Sequence, residues 1–225
     1  MHWLERWLMP PQCVITGLPT LEKDISPSLV EQWKTPQAVC PQCCEPSALG
    51  EVCGACLTRP PAFDRTQVGF YLDQELITLI HGLKYQDHLA YGRILGELLA
   101  ERVDTAGVEA LIAVPLFPTR LRDRGYNQAE VIAESLAKTL HLPLIKNAVQ
   151  RIKSTPSQTH LSAEQRRKNL KKAFAVDSEN LAGLTEIALV DDVITTGATM
   201  QSLAEVIKAH TPIQTIQAWG VAKTK

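Results

Sequence analysis

From residue 63 onward the chain alternates between two hydrophobic periods, and this restricts its fold more than any other feature. "QVGFYL" at 67–72 reads as a strand, and "QELITLIHGLKY" at 74–85 sets Leu76, Ile77, Ile80 and Leu83 along a helix. "LAYGRILGELLAERV" at 89–103 is a second helix, and "EALIAVP" at 109–115 is a short strand stopped by proline. "NQAEVIAESLAKTL" at 127–140 is amphipathic, "EIALVD" at 186–191 is a buried strand, "ATMQSLAEVIKAH" at 198–210 is a helix, and "IQTIQAWGVA" at 213–222 is a last strand. Strands separated by helices imply an α/β fold, a mostly parallel sheet with helices on both faces. Such sheets bind ligands beyond the carboxyl ends of their strands. Two segments are expected there: Asp191 and Asp192 with the loop after them, and the loop after Pro115.

Residues 1–62 are different. They hold all six cysteines, many prolines and little periodicity, and "TRPPAFDR" at 58–65 reads as a linker. The expected organisation is a cysteine-rich module over 1–62 and an α/β domain over 63–225. Cys40-x-x-Cys43 and Cys53-x-x-Cys56 are separated by nine residues. Two such knuckles can supply four thiolates to a tetrahedral Zn²⁺, with no open position for catalysis. Disulfides are the alternative, and a cytoplasmic location disfavours them. That location is expected because no run approaches the roughly 20 apolar residues of a membrane helix. The start, "MHWLERWLMPPQC", also lacks the form of a secretory signal. Cys13 and Cys44 stay unassigned.

"LVDDVITTGATM" at 189–200 carries the chemistry. Thr195, Thr196, Gly197, Ala198 and Thr199 join a strand to a helix. The first amides of that helix have no internal partners, and with the threonine hydroxyls they suit a phosphate monoester. Asp191 and Asp192 would repel a phosphate they touched. As pure acceptors they suit the neighbouring hydroxyls of a ribose 5-phosphate, and they could help hold Mg²⁺. In "VPLFPTRLRDRGYNQAE" at 114–130, Arg120, Arg122 and Arg124 stand beside Gly125 and can meet a diphosphate. Taken alone, the same loop reads equally well as a solvated basic segment.

Net charge is -1, which gives the whole chain no pull toward nucleic acid, but Arg151 to Lys172 carries seven Lys or Arg against one acid, Glu164. The first half of that stretch reads as a flexible loop. The second half reads as a basic helix that starts at Ser162. It is a solvated face or a track for single-stranded DNA, though few aromatic rings are near it to stack bases.

"ALVDDVITTGATM" resembles the phosphoribosyl pyrophosphate (PRPP) motif of type I phosphoribosyltransferases. The resemblance implies that fold, with ribose contacts from Asp191 and Asp192 and 5′-phosphate contacts from Thr195 to Thr199. It also implies a loop closing over Mg²⁺-bound PRPP. Arg151, Thr155, Gln158, Leu161, Arg166 and Asn169 look like the matching segment of glutamine PRPP amidotransferases. Over residues 38–222, the order of knuckles, "RPPAFDR", "LIHGLKY", "RGYNQAE", "QTHLSAEQRRKNLKKAF" and "LVDDVITTGATM" is similar to the ComF family. This implies a role in natural transformation and use of imported DNA, with single-stranded DNA and transformation proteins as partners. It leaves two expectations: transfer of phosphoribosyl to an acceptor, or a non-catalytic module that uses PRPP as a regulatory ligand. Many members begin with a second pair of knuckles. Here Cys13 stands alone, with Thr16 where a partner is expected. His81, Lys84 and Tyr85 lie in the family's "LIHGLKY" helix. Lys84 could reach the ligand or simply end a helix.

Overall fold

A computed structural model describes residues 11–153 and 173–224. The N-terminal segment carries the short helices α1 (Pro27–Val30) and α2 (Gly54–Thr58). Then follow β1 (Arg65–Tyr71), α3 (Gln74–Tyr85), α4 (Leu89–Ala100), β2 (Ala110–Ala113), α5 (Pro118–Arg124) and α6 (Gln128–Leu140). The short strands β3 (Val149–Arg151) and β4 (Phe174–Val176) precede a 3₁₀ turn at Glu179–Leu181. The chain ends with β5 (Glu186–Ile194), α7 (Ala198–His210) and β6 (Thr215–Lys223).

The main sheet runs β1-β6-β5-β2 and every pairing in it is parallel. Central β5 and β6 are buried along most of their length, as expected of strands covered on both faces. On one face, Leu76, Leu79 and Leu83 of α3, Leu95 and Leu99 of α4 and Ile132 and Leu136 of α6 pack on Val190 and Trp219. On the other, Met200, Leu203 and Ile207 of α7 pack on Ile187, Leu189 and Ala218. The α/β expectation holds. Gly96 lets α4 cross α6 closely: a Cβ there would meet the Ile132 carbonyl oxygen at 2.5 Å.

Four local expectations are corrected. In α3 the buried stripe is Leu76, Leu79, Ile80 and Leu83, while Ile77 is turned out. Residues 118–124 form a helix rather than a loop. Pro118 opens it, Gly125 closes it in the left-handed conformation, and no buried residue marks it by period. Arg151 belongs to β3, not to a loop; it pairs with Phe174 across an antiparallel ladder and its guanidinium lies 5.7 Å over that ring. Finally, β5 runs three residues past Asp191, so both acids lie inside the strand.

The N-terminal segment packs on the sheet. Trp33 meets Phe70 edge-on at 5.2 Å. The outward amides of edge strand β1 are taken up at Thr66, by the Pro41 carbonyl at 2.8 Å, and at Tyr71, by the Lys34 carbonyl at 2.7 Å. A β edge that would otherwise invite pairing is thereby covered.

Candidate functional site

Asp191 and Asp192 occupy adjacent positions of β5, so their side chains leave the strand on opposite faces. Asp192 is buried. Its Oδ2 pairs with Nζ of Lys84 from α3, and its Oδ1 lies 3.5 Å from Nε2 of Gln128 in α6. The Lys84 ammonium, helped by hydrogen bonds from Asp191, Lys84 and Gln128, holds the Asp192 carboxyl below its ordinary value against the opposing effect of burial. Asp191 is partly exposed and its Oδ1 accepts the Asp192 amide at 2.9 Å. Burial, and then the charge of Asp192, push Asp191 well above the ordinary carboxylate range. The pair therefore shares its charge unequally, as close carboxylates do.

After Ile194 the chain turns through Thr195 and Thr196, both exposed, to Gly197, whose φ of 69° and ψ of 6° are left-handed. Gly197 is the N-cap of α7, and no side chain caps that helix there. The loop is braced from three directions. Lys223, buried at the end of β6, donates to the Thr195 carbonyl at 3.1 Å and pairs with Glu45 at 2.9 Å. The Ala62 amide donates to Gln201 Oε1 at 2.7 Å, and Phe63 lies under Gly197. A cleft of about 870 Å³ separates Thr195–Ala198 from Cys43, Glu45, Cys56 and Arg59. Thr199 follows in the first turn of α7.

On the second loop, Arg120 and Arg122 are exposed on α5. Arg124 turns inward, donates to Gln128 Oε1 and lies 5.4 Å over the Tyr85 ring. Asn127 caps α6 through its Oδ1 and donates its amide to the Val114 carbonyl at 3.0 Å, fixing the loop to β2. Arg120, Arg122 and Gly125 stay at the surface, while Arg124 alone of the set is joined to the residues around Asp192. Burial and the Arg120 charge lower the Arg151 guanidinium, and the Asp191 charge acts in the opposite sense. Thr155, Gln158 and Arg166 lie outside the described residues.

The four knuckle cysteines converge. The sulfurs of Cys40, Cys43, Cys53 and Cys56 all lie within 4.8 Å of one another, and Cys43 and Cys53 are 3.6 Å apart. A tetrahedral zinc with bonds of about 2.3 Å separates its sulfurs by about 3.8 Å, so the cluster could bind such a metal. The Cys53 amide donates to Cys40 Sγ at 3.3 Å. Burial opposes it, yet amides of Cys53, Cys43 and Gln42 bring the Cys40 thiol down to about 6. Burial pushes Cys43 up to about 11. Cys44 stands apart, buried at φ 59° and pushed by burial up to about 11. Cys13 begins a turn whose hydrogen bonds repeat those of the Cys40 knuckle. Gly17 N donates to Cys13 O as Cys44 N does to Cys40 O, and Cys13 N to Leu18 O as Cys40 N does to Glu45 O. Among the described residues, that turn joins no metal cluster.

Sequence reasoning did not assign Gln128, Tyr126 or Lys223. Lys223 carried a signal: a lysine ending an apolar strand must find partners inside. Gln128 and Tyr126 stand in "RGYNQAE" beside Arg124 and Gly125, the residues of that segment expected at the diphosphate.

Together these features define an α/β protein with a parallel sheet, an acid pair near the end of β5, a threonine–glycine turn leading into α7, and a four-cysteine cluster across a cleft from that turn. No family profile matches the chain. Competence protein F of Haemophilus influenzae is 37% identical over 179 residues, 76% of this chain and 78% of that protein. DNA utilization protein YhgH of Escherichia coli K12 is 32% identical over 199 residues, 85% of this chain and 86% of that protein. Competence protein ComFC of Bacillus subtilis is 34% identical over 95 residues, 42% of this chain and 36% of that protein. The chain belongs to the ComF family of competence and DNA utilization proteins.

Proposed function

We propose that the chain binds PRPP between the end of β5 and the start of α7 and acts in the use of imported DNA, a reading supported by relatives named for competence and for DNA utilization. The observation that carries the ligand is the union of an uncapped 13-residue helix behind left-handed Gly197 with an acid pair three and four residues before Thr195. Amides of that helix favour the 5′-phosphate. The acids favour ribose hydroxyls, and α5 supplies guanidinium groups for the diphosphate. The type I phosphoribosyltransferase fold is part of this proposal.

Asp192 is already engaged by Lys84 and Gln128, so the pair does not form a ready two-carboxylate site for Mg²⁺. In this reading Mg²⁺ travels with the diphosphate. Zinc on the four cysteines has a structural role, since four thiolates leave no open position. If transfer occurs, an acceptor attacks the ribose carbon as diphosphate leaves. The chain's contribution is then positioning and charge stabilisation. Calorimetry with PRPP and with ribose 5-phosphate tests the reading: both should bind, and Asp191→Asn should weaken both. Parental affinity in that variant would refute the ribose assignment.

A second reading makes the chain a cytoplasmic module that binds single-stranded DNA or transformation proteins and uses PRPP as a regulator. Exposed Arg120 and Arg122 favour it. DNA affinity should fall steeply with salt, and replacing one of these arginines with alanine should lower the salt slope by about 1. A broad acceptor screen for diphosphate release separates the two readings: turnover selects the transferase, and silence with PRPP binding intact selects the module.

A further inference from the structure

The end of α3 reaches the buried acid of β5. Lys84 and Tyr85 form its last turn. The Lys84 side chain is 23% exposed while its partner Asp192 is 5% exposed. The ammonium is therefore anchored on a buried carboxylate and still presents a face to solvent. Tyr85 is 67% exposed, and the Arg124 guanidinium lies over its ring. Arg124 also donates to Gln128, whose amide nitrogen approaches Asp192. The Tyr126 hydroxyl donates to the Leu83 carbonyl and pins the end of α3 to the turn between α5 and α6.

Two cations from two helices are thus braced in one closed set: Asp192 to Lys84, Lys84 to its neighbour Tyr85, Tyr85 to Arg124, and Arg124 through Gln128 back to Asp192. A lone lysine–aspartate pair would need none of this bracing. The arrangement ties an ammonium and a guanidinium to shared partners, and a ligand with charge spread over two phosphoryl groups offers an acceptor to each. The single phosphate has its own place, at the loop after Ile194.

We propose that Lys84, together with Arg124, grips the diphosphate end of the ligand, and that Asp192 positions Lys84. Asp191, on the other face of β5 and partly exposed, is then the carboxylate left for the ribose. This assignment rests on the ligand reading above, but its test is separable.

The test is calorimetry of the full chain with inorganic diphosphate and, separately, with ribose 5-phosphate. Lys84→Gln keeps a donor for Asp192 and removes the charge. It should weaken diphosphate about tenfold or more, the loss of one charge-assisted hydrogen bond. Ribose 5-phosphate should bind as to the parent, and Lys84→Arg should restore most of the diphosphate affinity. Tyr85→Leu removes an exposed ring and leaves the core alone, so it tests the brace if Lys84→Gln does not fold. It should weaken diphosphate severalfold. Parental diphosphate affinity in Lys84→Gln and Tyr85→Leu overturns the proposal. Equal losses for both ligands also overturn it, because Lys84 would then act only through the fold. A parent that binds ribose 5-phosphate but not diphosphate sinks this assignment and spares the loop. A parent that binds diphosphate through Lys84 but no ribose 5-phosphate sinks the ribose reading and spares this one.

Discussion

Replacing Gly197 with alanine tests the anion loop with a single methyl group. Gly197 sits at φ 69° and ψ 6°, where an L residue is strained. The added Cβ would lie 3.5 Å from Phe63 Cζ and 3.8 Å from Cε1, ordinary van der Waals contact. Sterics therefore contribute little, and the cost is the left-handed conformation itself, about 1–2 kcal/mol. That cost has two places to appear. If the free loop keeps its turn, the folded state is strained, and Tm falls by about 2–8 °C for a chain of this size. If the free loop relaxes, stability is spared and ligand must restore the turn, which weakens ribose 5-phosphate about five- to thirtyfold. The two losses should together account for about 1–2 kcal/mol, however they divide. Thermal denaturation and calorimetry on the same preparation measure both. Gly197→Asn tolerates the left-handed region better and should recover most of the loss. A Gly197→Ala chain with parental Tm and parental affinity would refute the claim that this turn builds the site.

Three further expectations use other residues. Asp191 is raised above the ordinary range by burial and by Asp192, so the folded chain holds a proton that the unfolded chain releases. Its contribution to stability is complete below about pH 4 and is lost as pH rises through the folded value. Asp191→Asn should therefore be more stable than the parent at pH 8 and lose that advantage below about pH 4; parallel Tm–pH curves would show the raised value to be wrong. Cys40→Ser should abolish stoichiometric zinc, measured by atomic emission after gel filtration, and retained metal at parental stoichiometry would refute the four-sulfur site. Lys223→Met takes the donor from the Thr195 carbonyl and the partner from Glu45. It should cost about 1–3 kcal/mol in denaturant unfolding and weaken ribose 5-phosphate, whereas an unchanged midpoint and affinity would show the brace to be idle.

The sequence shows its architecture wherever a segment buries a stripe at one period. Strands β1, β2, β5 and β6 and helices α3, α4, α6 and α7 announce themselves in this way. Helix α5 does not, because it buries nothing and is made by Pro118 and Gly125 at its ends. Strands β3 and β4 are three residues each, too short to show alternation. The acid pair, the threonine loop and the knuckles were legible because their chemistry lies within a few consecutive residues or a fixed spacing. The partners of Asp192 were not. Lys84 and Gln128 stand 108 and 64 positions from it, and only the packing of α3 and α6 on one face of the sheet brings them together. Lys223 pairs with Glu45 across most of the chain for the same reason.

The cysteine segment and the loop are physically one construction. Glu45 follows the first knuckle and holds Lys223, and Lys223 holds Thr195. Ala62 and Phe63 leave the second knuckle and meet Gln201 and Gly197 in the first turn of α7. Each contact joins residues near a cysteine of the cluster to residues of the turn between β5 and α7. A metal that orders the knuckles therefore also restricts the loop, and the free energy of that restriction enters both equilibria. By reciprocity, whatever ligand fixes the loop must tighten the hold on the metal by the same factor. The knuckles reach the turn after β5 through Glu45 and Phe63.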